Sequence, residues 1–279
     1  MEPERFILET GAERISSRTN PKTSVYAKLA EKKYRDESGL FLAEGVKLTR
    51  EALRSDFRIR EILLSETAVK QNPEAVSAAS EAASDGIPVT VFSDPAFEKI
   101  STEKAPQGII AVMRMPRIRE EAEFSAWQEG RRLIMLDEIR DPGNLGTILR
   151  SAEALGMEGA VLSRSADPYQ PKAVRATMGT LFRLPLWLTD DPAGCAETLK
   201  RAGRRVLAAA LGEQSLTLGM YEPLRTDCPV IGNEGHGLPE ELLKAATACV
   251  RIPMAGGPES LNAAAAAACI LWEYYRVFH

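Results

Sequence analysis

The chain is poor in the residues from which many hydrolytic and metal-dependent sites are built. It has two histidines, His236 and His279, in 279 residues. That removes most metal-site designs and most acid–base designs resting on imidazole. Its four cysteines, Cys195, Cys228, Cys249 and Cys269, stand far apart with no Cys-x-x-Cys pair. Neither a disulfide framework nor a bound metal is expected, and a reducing cytoplasm fits best. The longest apolar run, Ala263 to Trp272, is ten residues, against the ~18–20 that a membrane helix needs. The opening Met1-Glu2-Pro3-Glu4-Arg5 lacks the basic start and apolar core of a secretory signal, so neither a membrane partner nor export is expected. The dinucleotide fingerprint G-x-G-x-x-G and the P-loop are also missing, which disfavours an NAD-dependent oxidoreductase or an ATP-driven enzyme.

What is present is ordinary globular composition, 44% hydrophobic and 27% charged, enough apolar surface for a sizeable core. The length suggests two domains or one large one. The net charge of −4 hides an asymmetry. Residues 14–60 carry twelve Lys/Arg and six Asp/Glu, and residues 61–113 carry three and eight. A basic segment on an acidic protein marks either an anionic partner such as nucleic acid or a solvated helix face laced with ion pairs.

Residues 1–23 are polar, with a turn at Thr19-Asn20-Pro21. From there to about 113, periodicity predicts helices over 24–34, 46–55 and 74–84, and strands over 60–65, 88–92 and 109–113. Residues 116–131 read as a linker with a short helix near 124–128. After 132, strands and helices alternate regularly. Leu133-Ile134-Met135-Leu136 is apolar throughout, as expected of a strand buried on both faces. Alternation of this length predicts a parallel α/β sheet with helices on both faces.

Three short stretches of this second half carry chemistry. The first, Asp137 to Ala152, starts at the end of a buried strand, where open α/β sheets bind ligands. Asn144 is read as the N-cap of the helix that follows. Leu145, Ile148, Leu149, Ala152 and Leu155 form its apolar stripe, and Arg150 projects from another side. The second, Gly232-Asn233-Glu234-Gly235-His236-Gly237-Leu238, follows a strand. Its glycines permit positive φ and close approach of backbone to a ligand. His236 is either a base or an ordinary loop histidine. The third, Ile252 to Ala263, leads through Gly and Pro into an alanine-rich helix, with Ser260 as candidate N-cap.

Taken together and in this order, N-x-G-x-x-x-R (Asn144, Gly146, Arg150), G-x-E-x-x-G-L (Gly232, Glu234, Gly237, Leu238) and I-P-M-x-G-x-x-x-S-L-N (Ile252 to Asn262) resemble the SpoU family of RNA ribose 2′-O-methyltransferases, part of the SPOUT superfamily. Phe41-Leu42-Ala43-Glu44-Gly45-Val46 and Pro106-Gln107-Gly108-Ile109 are similar to the substrate-binding domain that often precedes the catalytic one. The resemblance implies an α/β fold with an RNA substrate-binding domain over 14–115, a linker over 116–131 and a SPOUT domain with a deep trefoil knot over 132–279. It implies a homodimer that binds S-adenosylmethionine and methylates structured RNA, with rRNA favoured over tRNA. By motif, Gly232, Ile252 and Leu261 would contact the cofactor. Asn144, Arg150, Glu234, Ser260 and Asn262 would form the catalytic surface. The valine usual after Asn262 is here Ala263. Arginine, with a pKa above about 12, is a poor base, so Arg150 is expected to stabilise the developing alkoxide rather than take its proton. Arg14, Arg18, Lys22, Lys28, Lys32, Lys33 and Arg35 are the candidates for RNA backbone contacts. Two other readings stay open, a tRNA methyltransferase of the same superfamily and a non-catalytic RNA-binding protein on the same fold.

Overall fold

The computed structural model of the chain describes residues 1–117, 119–212, 215–233, 235–256 and 260–278. It divides into two compact units. The first comprises Met1–Pro116 with Asp167–Arg183, and the second Arg117–Ala166 with Leu184–His279. The sequence boundaries assign 167–183 to the catalytic domain. In the structure this segment completes the hydrophobic and ionic interior of the first unit.

The first unit runs α1 (Pro3–Thr10), β1 (Glu13–Ile15), α2 (Pro21–Lys28), α3 (Lys32–Ser38), β2 (Leu40–Glu44), α4 (Val46–Leu53), β3 (Ile59–Ser65), α5 (Glu66–Gln71), α6 (Pro73–Ser84), β4 (Val89–Phe92), α7 (Asp94–Ile100) and β5 (Ile109–Arg114). The inserted segment adds α10 (Pro171–Thr177) and a 3-10 turn at Thr180–Phe182. Its five strands are ordered β1-β4-β3-β5-β2. The β1–β4 and β4–β3 pairs are parallel, and the β3–β5 and β5–β2 pairs antiparallel. The helix expected over 24–34 is broken in two. Arg35 explains the break, because its Nη1 donates to the carbonyls of Leu29 and Ala30 at 2.8 and 2.9 Å, satisfying backbone acceptors left at the end of α2. The same guanidinium donates to Asp167 at 2.6 Å, and Arg35 is 2% exposed. Around that ion pair Phe41 meets Tyr169 (5.1 Å between ring centroids) and Phe57 meets Phe182 (5.5 Å).

The second unit contains a 3-10 turn (Glu121–Glu123), α8 (Phe124–Trp127), β6 (Leu133–Asp137), α9 (Pro142–Ala154), β7 (Gly159–Ser163), β8 (Leu186–Thr189), α11 (Pro192–Arg201), β9 (Val206–Ala209), β10 (Leu216–Thr217), β11 (Cys228–Ile231), α12 (Glu240–Ala245), β12 (Ala248–Arg251) and α13 (Ala263–Phe278). The sheet order is β10-β12-β9-β11-β6-β7-β8, and every pair is parallel. The apolar run of β6 is buried on both faces, as its composition predicts. Ile134 and Leu136 pack with Leu145, Ile148 and Leu149 of α9 and Ala267, Ile270 and Leu271 of α13. Leu133 and Met135 point the other way, into a core with Trp187, Leu199, Val230 and Leu242. Because the strands are parallel, the loops after β6, β9, β11 and β12 all leave from one edge of the sheet, and those four strands are adjacent. Among the described residues no helix is long and apolar enough to cross a membrane.

Candidate active site

Loops from that shared edge enclose a cavity of about 480 Å³. Its lining includes Ala210 and Leu211 after β9, Gly232, Asn233, His236 and Leu238 after β11, and Ile252, Met254, Ser260 and Leu261 after β12. All three residues expected to touch a cofactor, Gly232, Ile252 and Leu261, are therefore in one cavity, with Ser260 beside them. A volume of this size, with apolar walls and loop backbone between them, suits a flat ring with polar edges. Gly232 is required by close approach. A Cβ there would lie 2.8 Å from the Gly237 carbonyl oxygen and from two side-chain carbons of Leu238. Gly237 adopts φ +71°, which lets Asn233 and Gly237 exchange backbone hydrogen bonds and close the loop on itself.

The first and third stretches meet through two asparagines. Asn262 Nδ2 donates to Asn144 Oδ1 at 3.2 Å. Both expected helix caps are corrected here. Asp141, not Asn144, caps α9, accepting from the Asn144 amide at 2.8 Å with Pro142 in the first turn. Asn262, not Ser260, caps α13, its Oδ1 accepting from the amides of Ala264 and Ala265 at 3.0 and 3.4 Å. Asp141 relieves Asn144 of capping, so the Asn144 side chain reaches the third loop instead. Arg150 is exposed, on the same helix as Asn144. Six residues of helix place it ~9 Å further along the axis and about 120° round it, so the two do not share a face. Glu234 lies outside the described residues.

The first and second stretches meet through a residue to which the sequence assigned no role. Glu138 follows β6 with φ 54°, unusual for a residue with a side chain. Its amide donates to the Ser163 carbonyl at 2.9 Å, and its carbonyl accepts from Asn233 Nδ2 at 3.0 Å. Its carboxylate is 2.9 Å from His236 Nε2 and 2.8 Å from Arg140 Nη2. The His236 hydrogen bond, supported by Arg140, holds the Glu138 carboxyl below the ordinary glutamate range. Behind it, buried Asp137 accepts from Arg164 at 2.9 Å through both oxygens. Burial opposes the charge on Arg164, but the Asp137 hydrogen bonds prevail and raise its pKa. An acid at the end of a buried strand was the available signal for Glu138, and its partner is a loop nearly a hundred residues away in sequence.

The basic residues of the first unit divide. Arg35 is internal. Lys22 is bound to Glu13 at 2.8 Å and to Thr90 at 3.0 Å, and also pairs with buried Glu61. Arg14 spans Glu66 and Glu4 at 2.7 and 3.1 Å. Arg18, Lys28, Lys32 and Lys33 are exposed. Lys32 pairs with Asp36 one turn on, and Lys28 and Lys33 lie 5.0 and 5.7 Å from the Tyr34 ring centre.

Comparison with known proteins agrees with this geometry. Residues 131–272 match the SpoU rRNA Methylase family, and residues 13–111 match the MRM3-like substrate binding domain. The 23S rRNA (guanosine(2553)-2′-O)-methyltransferase RlmP of Bacillus subtilis is 33% identical over 92% of this chain and 97% of its own. An AdoMet-bound rRNA methyltransferase structure from Sinorhizobium meliloti superposes with a TM-score of 0.79 at 33% identity, covering 95% of this chain and 98% of that one. The SpoU methyltransferase AviRb from Streptomyces viridochromogenes, in complex with AdoMet, gives a TM-score of 0.77 at 26% identity, covering 92% and 97%. Two joined sequence domains, one cavity at the strand ends and relatives matched along almost their whole length lead to one assignment: the chain belongs to the SpoU rRNA methylase family.

Proposed function

We propose that this protein transfers a methyl group from S-adenosylmethionine to a ribose 2′-hydroxyl of ribosomal RNA. The observation that carries the reading is the convergence of the second and third motif loops on one cavity, with Gly232, Ile252, Ser260 and Leu261 in its wall, and the first motif stretch tied to them by the Asn144–Asn262 and Glu138–His236 bonds. When bound, S-adenosylmethionine supplies a methyl group on a positively charged sulfur. The chain's own part is to hold and align. Leu238, Ile252 and Leu261 would flank the adenine, with the loop backbone around Gly232 meeting its polar edge. Asn144 and Asn262 would orient the ribose, and Ser260 would border it. Arg150 would stabilise charge developing on the 2′-oxygen, and Glu234 would complete the catalytic surface. Alignment of this kind contributes several kcal/mol, with about 7–11 kcal/mol as the upper range.

RNA backbone contacts are assigned to Arg18, Lys28, Lys32 and Lys33, exposed members of the basic set, and not to Arg14, which is exposed but spans Glu66 and Glu4. Each phosphate contact steepens the salt dependence of RNA affinity by about 0.7–0.9 log units. Replacing Lys28 and Lys33 with alanine is expected to flatten that slope by about 1.5, and an unchanged slope would remove this face from the reading. The protein is taken to act in the cytoplasm, which cell fractionation checks, and as a homodimer, which light scattering checks. A backbone trace through residues 228–278 in a crystal structure tests for the trefoil knot. The deciding experiment deletes the protein from its host and maps 2′-O-methyl positions across all stable RNAs. One ribosomal position should be lost and should return with wild-type protein. An Arg150→Ala protein should bind cofactor normally yet restore that position at least ~100-fold more slowly. Loss of a tRNA position, or of none, would overturn the rRNA assignment.

A further inference from the structure

The reaction needs an acceptor for the hydroxyl proton, and arginine is a poor one at neutral pH. Among the described residues lining the cavity, His236 is the only side chain whose ordinary pKa lies near neutrality. It is not a passive loop residue. The loop that carries it is closed by the Asn233–Gly237 backbone pair and tied to Glu138 through Asn233. Glu138 is pinned at its amide, its carbonyl and its carboxylate. It also keeps a left-handed backbone conformation, φ 54°, which is unfavourable for a residue with a side chain and persists only where surrounding bonds impose it. That backbone sets the carboxylate 2.9 Å from the imidazole.

We propose that His236, oriented by Glu138, accepts the proton of the ribose 2′-hydroxyl. This rests on the methyltransferase reading above. With Nε2–H donating to Glu138, neutral imidazole keeps its lone pair on Nδ1, the tautomer a proton acceptor requires. As the oxygen–methyl bond forms, the sulfur–methyl bond breaks and its electron pair stays on sulfur, leaving a neutral thioether. The hydroxyl proton passes to Nδ1, and the resulting imidazolium is paired with the Glu138 carboxylate. Among the described residues, the charged groups around the pair are Arg140 at 2.8 Å from Glu138, Arg164 at 4.0 Å from it, and Asp137 and Glu241, which bind Arg164 at 2.9 and 3.2 Å. Because its folded pKa is depressed, Glu138 stays ionised through the range in which imidazole titrates, so His236 keeps its partner there.

Two measurements on the full-length protein test this. In the first, nitrogen NMR of the cofactor-free protein follows its two imidazoles, with His236→Gln assigning the signals. His236 should show the Nε2–H tautomer when neutral, and Glu138→Gln should move its Nε2 signal. The other tautomer, or an unmoved Nε2 signal, would overturn the pairing. In the second, single-turnover methylation of an unmodified 23S rRNA transcript is followed against pH, with cofactor binding measured by calorimetry. The wild-type rate should rise with unit slope and level off. His236→Gln and His236→Ala should lose the rise and fall ~100-fold in kcat, with cofactor affinity within about threefold of wild type. Free imidazole should restore part of the His236→Ala rate. Rates within threefold of wild type at every pH, or no rescue by imidazole, would overturn this inference alone. Failure of the wild-type protein to methylate any ribose would overturn the function with it.

Discussion

Asn262 serves two structural ends with one amide, and those ends can be separated. Its oxygen caps α13 while its nitrogen donates to Asn144. Aspartate keeps the capping oxygen and adds a favourable charge at the helix start, but has no donor for Asn144. Asn262→Asp should therefore keep its thermal stability, within ~0.5 kcal/mol, and lose methylation at least ~10-fold. Asn262→Ala should lose both, with about 1 kcal/mol of stability gone with the cap. Full methylation by Asn262→Asp beside a loss in Asn262→Ala would assign the residue to capping alone. Gly232 gives a test of the cavity itself. The methyl group of Gly232→Ala has backbone on one side and Leu238 on the other. Overpacking of this kind costs about 1–3 kcal/mol. Here it displaces the loop that lines the cavity, so calorimetry should show cofactor affinity reduced ~10-fold or more in a protein that still folds. Undiminished binding would mean that the ligand sits elsewhere.

At the scale of elements, legibility followed burial. β6 was readable because both of its faces are covered, which leaves only apolar residues, and α9 because one stripe faces the core while Thr147 and Arg150 face out. α1, β1 and β10 were not read. They are short, and largely polar at exposed positions, although Pro3 at the start of α1 and Gly11 at its end, with φ +68°, are ordinary start and stop signals. The 24–34 helix was read as continuous because local propensity contains nothing of Arg35 turning back on Leu29 and Ala30. The site was legible as three motifs and as a list of side chains. What no sequence position shows is pairing across loops: Asn262 with Asn144, His236 with Glu138, and Asn233 with the Glu138 carbonyl. The same limit explains why Arg35 and Lys22 looked like RNA contacts. A basic residue reads alike whether its partner is phosphate or a buried carboxylate such as Glu61.

For the whole molecule, the decisive feature is how the chain is divided between its two units. It crosses from one unit to the other after residues 116, 166 and 183. Segment 167–183 therefore belongs to the first unit by packing while both of its ends lead within a few residues into strands of the second, β7 and β8. Loosening that segment releases both anchors at once, so the two units should unfold together. Arg35→Ala is the variant that loosens it. The substitution leaves Asp167 without its guanidinium and uncaps two carbonyls, and breaking a buried pair from one side costs about 3–5 kcal/mol. The three tryptophans, Trp127, Trp187 and Trp272, all lie in the second unit, so their fluorescence reports that unit alone, whereas far-ultraviolet circular dichroism reports both. In Arg35→Ala both signals should move to lower denaturant together, although the substitution is in the unit that contains no tryptophan. A tryptophan transition that stays at its wild-type midpoint while the dichroism splits in two would show that the units unfold independently and that the shared segment does not couple them.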